Sequence, residues 1–251
     1  IKTTNKIKMI SDIPNQEKYK NDICLIKGYQ KAGDIYQINY TNPKCYKIQE
    51  NPFKLYMSIR EIAKPFCGIY INAKNFQLLS ASPERLLNIK NSTISTYPIK
   101  GTRKRSSNKI EDQRLANELF DSTKDRAEHL MIVDLLRNDL GKIAIPGSIK
   151  VNDIFKIESF NTVHQMISNI TAKLGDEITE VDIIEALFPG GSITGAPKES
   201  AMKIIDELED YSRDIYTGSI GYIKSNGDLN FNIAIRTMTV NNGNGEYPVG
   251  G

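Results

Sequence analysis

Apolar and polar positions change period several times along the 251 residues, and each change marks an element. Residues 1–14 are polar without a period, after which apolar residues recur at helical spacing from about Glu17 to Lys31, stopped by Ala32-Gly33. Asp34–Tyr40 and Phe66–Ser80 alternate as strands do, with turn signals at Asn42-Pro43 and Asn72-Ala73-Lys74-Asn75. Ser92–Ile99 is a further β-rich run, followed by a basic loop, Arg103-Lys104-Arg105. Two helical stretches come next, about Asn108–Leu119 and Lys124–Leu140, closed by Pro146-Gly147. Phe155–Leu174 reads as extended, Val181–Leu187 as a short helix, and Lys198–Glu209 as a longer helix with Pro197 at its first position. Ile215–Ile223 and Leu229–Val240 form two strands across a hairpin turn at Asn226-Gly227-Asp228. Tyr247–Gly251 resembles the start of another strand, as in a fragment of a longer chain.

No internal repeat or low-complexity linker interrupts this order, so the expectation is one α/β domain of mixed sheets flanked by helices. No apolar run approaches the ~20 residues of a membrane helix, which argues against a membrane partner. Thirty-three Lys and Arg against thirty Asp and Glu leave a net charge of +3, too small a surplus to indicate nucleic acid. Cys24, Cys45 and Cys67 lack C-x-x-C spacing, and no secretory signal is recognisable, which fits a reducing, cytoplasmic setting. With only two histidines, His129 and His164, a zinc site has little support; a bound metal would be held by carboxylates.

Several charged residues occupy places that ordinary packing does not favour. Glu128 shares a helix face with Met131, Ile132 and Leu135, and a buried carboxylate is costly unless paired, protonated or metal-bound. The competing reading is a capping or salt-bridged glutamate supported by Arg126. Lys198 likewise shares a face with Ala201, Met202 and Ile205 and stands at a helix N-terminus, which prefers anions. With the loop from Pro189 rich in glycine and hydroxyls, it suggests an anion pocket; a snorkelling lysine is the alternative. Gly190 and Gly195 have the first spacing of a nucleotide-binding loop, but Ala196-Pro197 intervenes before the lysine and the motif fails.

On the last strand Arg236 shares a face with Asn232, Ala234 and Met238, a guanidinium suited to a carboxylate or simply to solvent. Lys100 ends a strand beside the flexible turn Gly101-Thr102, where it is either solvated or a nucleophile. Glu84 closes another strand as a general acid or base, or as a salt-bridge partner. His129 is expected to pair with Asp125 one turn earlier. Asp134, Arg137, Asn138 and Asp139 read as pairing and capping groups.

Seven segments in order carry a resemblance to the chorismate-utilising enzymes, the group that includes aminodeoxychorismate synthase component I, anthranilate synthase component I, isochorismate synthase and salicylate synthase. They are Ala32–Tyr40, Ser80–Leu87, Tyr97–Arg105, Lys124–Gly141, Pro189–Glu209, Tyr216–Ile223 and Asn232–Thr237. The resemblance implies an α/β (α+β) sandwich of two mixed or antiparallel sheets flanked by helices, with 1–251 as a chorismate-binding catalytic domain truncated at both ends relative to the family. It implies magnesium, with Glu128 as a ligand. Arg236 and Tyr216 would hold a substrate carboxylate, as would the backbone at Gly250; Gly101, Thr102, Thr194, Gln37 and Lys198 would line the substrate site.

Within the group, relatives that hydrate chorismate carry a lysine base where this chain has Gln37, and anthranilate synthases usually carry alanine where it has Lys100. The segments P-I-K-G-T and S-I-T-G-A-P-K are similar to the aminodeoxychorismate branch, and Gln165 after His164 departs from the histidine associated with the anthranilate branch. That branch implies attack by Lys100 on C2 of chorismate, protonation of the departing C4 hydroxyl by Glu84, and addition of ammonia from a glutamine amidotransferase, toward p-aminobenzoate and folate. The alternatives are anthranilate synthase component I and a non-catalytic chorismate-binding domain.

Overall fold

A computed structural model describes residues 6–12 and 16–250. In chain order its elements are β1 (Ile7–Asp12), α1 (Gln16–Ala32), β2 (Gln37–Ile38), β3 (Thr41–Ile48), α2 (Pro52–Ala63), β4 (Cys67–Asn72), β5 (Gln77–Ser82), β6 (Arg85–Lys90), β7 (Thr93–Thr96), β8 (Ile99–Lys104), α3 (Lys109–Asp121) and α4 (Thr123–Gly141). They continue with β9 (Lys150–Ser159), β10 (Val163–Lys173), α5 (Glu180–Leu187), α6 (Gly191–Thr194), β11 (Gly195–Ala196), α7 (Lys198–Leu208), β12 (Gly221–Ile223), β13 (Leu229–Asn232), β14 (Thr237–Asn241) and β15 (Asn244–Gly250). Side-chain caps set the helix starts: Asn51 accepts from Phe53 N and Lys54 N, Asn108 from Ile110 N and Glu111 N, and Thr179 forms a capping box with Asp182.

These elements gather into two compact units, the first comprising Ile1–Glu84, Ile193–Ile220 and Asn232–Gly251 and the second Arg85–Ser192 and Gly221–Phe231. In the first, a six-stranded sheet runs β1-β3-β15-β14-β5-β4, and β2 pairs separately with β11. Helix α2 lays Tyr56 on this sheet against Ile48, Leu79, Met238 and Val240. Ile26 of α1 and Ala201, Ile204 and Leu208 of α7 bury Ile35, Ile38 and Tyr40. In the second unit the sheet runs β12-β13-β6-β7-β10-β8 with β9 also on β10, and α3 and α4 pack on β8, β9 and β10. Leu119, Ile132, Leu140, Met166 and Ile170 are fully buried there. The mixed α and β class, with antiparallel sheets and helices, is the one expected. No helix among the described residues is long and apolar enough to cross a membrane.

Helices α1, α3, α4, α5 and α7 match their sequence patterns, whereas several strands differ. The segment 1–14 contains β1; residues 1–5 and 13–14 lie outside the described residues. Asp34–Tyr40 contributes only the two-residue β2, and Asn42-Pro43 is strand, not turn, because β15 pairs with it through Val249 and Pro248. Helix α2, capped by Asn51, stands where no element was expected. Arg103 and Lys104 belong to β8, and Phe155–Leu174 splits into β9 and β10. Pro197 is the cap preceding α7, at φ −61° and ψ 143°, not its first helical residue. The predicted strand Leu229–Val240 breaks at 233–236, where Ile233 N donates to Glu84 O and Ala234 N to Gly218 O. Tyr247–Gly250 is indeed strand, in the interior of its sheet.

Candidate active site

The second unit carries Lys100, Gly101, Thr102 and Glu128. Thr102 pairs with Gln165 and Lys100 with Met166, which leaves Gly101 as an extra residue in β8. This is a β-bulge with φ +74°, a conformation glycine adopts freely, and a bulge re-aims the side chains beside it. A Cβ at Gly101 would also lie 2.8 Å from Leu119 Cδ1. Lys100 therefore sits within a kinked strand, not at its end; it is half-buried and donates a long hydrogen bond, 3.4 Å, to Ser192 O.

His129 is fully buried in α4, its Nε2 2.7 Å from Ser168 Oγ and its Nδ1 without a hydrogen-bond partner. Burial, and then the positive charge of Lys100, lower its pKa to about 4, so the ring is neutral at pH 7. The expected Asp125–His129 pair does not form: Asp125 accepts from Arg103 Nη2 at 3.0 Å, while His129 faces β10. Of the groups expected to pair near the helix end, Asp134 pairs with Arg137, and Asp139 pairs with Lys142, a residue outside that cluster.

Glu128 is not buried. Its side chain keeps 39% exposure and lies 3.8 Å from Lys124 Nζ. The buried stripe of α4 is His129, Ile132, Val133 and Leu136, rotated from the face counted along the sequence. Arg126, the expected support, stacks instead over the Phe155 and Phe120 rings. Among the described residues no three His, Cys, Asp or Glu gather as a metal site. Glu128 thus fits magnesium only as one carboxylate in a shell that water and substrate complete, a mode this ion commonly accepts.

The remaining candidates lie in the first unit. Glu84 is buried just after β5, and its backbone is clamped: Ile233 N donates to Glu84 O at 3.1 Å, and Ser82 Oγ donates to Ile233 O at 2.6 Å. Thr194 is buried, its carbonyl accepting from Asn39 N at 2.9 Å. Gly195, at φ +151°, presses on β2, where a Cβ would come within 2.3 Å of Gln37 O. Gln37 Oε1 is itself buried without a hydrogen-bond partner. Lys198 is half-buried at the start of α7, beside the stripe Ala201, Ile204 and Leu208.

Tyr216 is buried, its phenol pushed up to about 12 by desolvation, and it lines a cavity of ≈ 650 Å³ with Cys45, Arg213, Thr237, Glu246 and Pro248. The next residue, Thr217, is held at φ +61°, a strained setting for a β-branched side chain. Arg236 does not share a strand face with Asn232 and Met238; it is exposed in the break before β14 at φ +50°, its carbonyl accepting from Ala81 N at 3.0 Å. Gly250 stands opposite Thr41 in the β15–β3 pairing. Glu209 and Arg213, whose only linear signal is an i,i+4 spacing, form a largely buried ion pair in the same unit.

Residues 2–251 match the family described as chorismate binding enzyme. The chain is 44% identical over 228 residues to "Aminodeoxychorismate synthase component 1" of Bacillus subtilis (strain 168), covering 91% of this chain and 48% of that protein. It is 36% identical to "Anthranilate synthase component 1" of Saccharolobus solfataricus, covering 94% and 56%. It therefore spans about half the length of these curated relatives. The crystal structure of anthranilate synthase component I from Streptococcus pneumoniae TIGR4 superposes with a TM-score of 0.86 at 31% identity, over 98% of this chain and 54% of that one. With a match that leaves out only the first residue, this chain belongs to the chorismate binding enzyme family.

Proposed function

We propose that the protein containing this chain aminates chorismate at C4, giving 4-amino-4-deoxychorismate for p-aminobenzoate and folate synthesis, with the chain as its cytoplasmic, chorismate-binding catalytic domain. The observation that carries this reading is Lys100, set half-buried on the β8 bulge of a chain 44% identical to a relative named for that activity. The Lys100 amine attacks C2 as the C4 hydroxyl departs, taking a proton from Glu84 and leaving as water. Ammonia then adds at C4 and the Lys100 amine leaves C2, so the enolpyruvyl group stays on the product. Gln37, Gly101, Thr102, Thr194 and Lys198 line the substrate, while Tyr216, Arg236 and the Gly250 backbone hold carboxylates. Glu128 would hold magnesium, which when bound would supply charge neutralisation for the substrate carboxylates. The words "component 1" in the relative's name support a second component, here a glutamine amidotransferase that supplies ammonia.

Similarity to an anthranilate synthase sequence and structure favours a second reading, in which nitrogen ends at C2 and pyruvate is lost. The full-length protein, given chorismate, ammonium and magnesium, separates the two by product mass. Aminodeoxychorismate, with a trapped adduct on Lys100, is the expected outcome; anthranilate and pyruvate would replace the first reading with the second.

A further inference from the structure

Glu209 and Arg213 form a largely buried ion pair within the first unit, their side chains 2% and 13% exposed. Arg213 Nε donates to Glu209 Oε2 at 2.7 Å and Nη2 to Oε1 at 2.6 Å, the forked geometry that arginine and a carboxylate favour. Both partners also reach the main chain. Arg213 Nη1 donates to Ile193 O at 3.0 Å and Nη2 to Asn39 O at 2.7 Å. Glu209 Oε1 accepts from Thr41 N at 2.8 Å and Thr41 Oγ1 at 2.9 Å, and Tyr211 OH lies 2.5 Å from that hydroxyl. Four of the five guanidinium N–H groups are thereby committed to the protein.

A buried ion pair is a poor source of stability compared with apolar side chains of the same volume. Its distinctive property is direction, and here the direction is toward two separate stretches of backbone, 39–41 and Ile193. Ile193 precedes Thr194, and Thr194 O accepts from Asn39 N at 2.9 Å. Asn39 lies two residues after Gln37, Thr41 faces Gly250 across β3 and β15, and Arg213 lies three residues before Tyr216. Every segment the pair touches adjoins a residue assigned to the substrate.

We propose that Arg213, oriented by Glu209, is a positioning residue that sets the backbone beside Gln37, Thr194, Tyr216 and Gly250, and so determines how tightly the enzyme binds chorismate. The inference rests on the proposed function for its ligand but not for its geometry, which allows the two to be tested apart.

The test uses the full-length protein with Arg213→Lys, which keeps the charge and loses the fork, and Glu209→Gln, which keeps an acceptor for Thr41. Amide hydrogen exchange without ligand should accelerate about 10-fold or more at Asn39 and Thr41 in Arg213→Lys, with Tyr70 and Leu79 unchanged. Chorismate binding by titration calorimetry should weaken at least 10-fold, with kcat altered much less than KM. Should Arg213→Lys fail to fold, Glu209→Gln carries the same measurements with a smaller expected loss. A folded variant with a lowered melting temperature but wild-type exchange at Asn39 and Thr41, or wild-type chorismate affinity, would overturn the proposal. Failure of the wild-type protein to bind chorismate would instead remove the functional reading, and the exchange measurement would then decide the positioning role alone.

Discussion

His129 Nε2 and Ser168 Oγ meet at 2.7 Å inside the second unit, joining α4 to β10 through a neutral imidazole. Because the folded pKa is about 4 and the free value about 6.5, the unfolded chain binds the proton first as pH falls. The contribution is therefore complete above about pH 6.5 and lost progressively between there and pH 4, by about 3 kcal/mol. Urea midpoints across that range should show the slope, and His129→Gln should flatten it relative to wild type. An unchanged slope in the variant would mean other groups carry the acid transition.

Lys100→Ala should abolish aminodeoxychorismate formation in the full-length protein while altering stability by no more than about 1 kcal/mol, since a half-buried lysine contributes little packing. Product chromatography and thermal melting check the two halves. Wild-type turnover in the variant would exclude the covalent step.

Two glycines should respond oppositely to alanine. At Gly195 a methyl group meets Gln37 O at 2.3 Å and Ala201 Cβ at 2.8 Å with φ at +151°, so Gly195→Ala should destabilise by at least about 2 kcal/mol. Nothing lies within 4 Å of a Cβ at Gly28, in the middle of α1, and Gly28→Ala should stabilise by roughly 0.5–1 kcal/mol. Denaturant midpoints of the two variants should move in opposite directions.

Gln37 Oε1 is a buried acceptor without a hydrogen-bond partner, a state that costs about 1–3 kcal/mol. Gln37→Leu should recover part of that cost while lowering turnover, which chemical denaturation and steady-state kinetics would register together. Gln37→Lys should introduce slow isochorismate formation, because desolvation lowers a lysine's pKa toward that of a useful base. Absence of isochorismate across pH 7–9 would place Gln37 outside the reacting site.

Glu128→Ala should change stability by less than about 0.5 kcal/mol, as its only described partner is the exposed Lys124 at 3.8 Å. Magnesium affinity in the presence of chorismate should fall sharply. A stability loss with intact magnesium affinity would assign Glu128 to the surface ion pair alone.

Local sequence determined most helices of this protein, because their evidence is local: the period of α1, α4 and α7 and the caps at Asn108 and Thr179 act within a few residues. It also carried the family, since the motifs around Glu84, Lys100, Thr194 and Tyr216 are contiguous. Strand boundaries were decided elsewhere. Asn42-Pro43 reads as a turn until Val249 and Pro248 of β15 pair with it, and the break at 233–236 exists because Glu84 and Gly218 accept hydrogen bonds from that stretch. The same holds for charge. Period alone placed Glu128 inside and passed over Arg213, whereas in the folded chain Glu128 meets solvent and Arg213 finds carbonyls 20 and 174 residues away. A charged side chain is worth burying only where partners converge on it, and such convergence belongs to the tertiary structure, not to spacing along the chain.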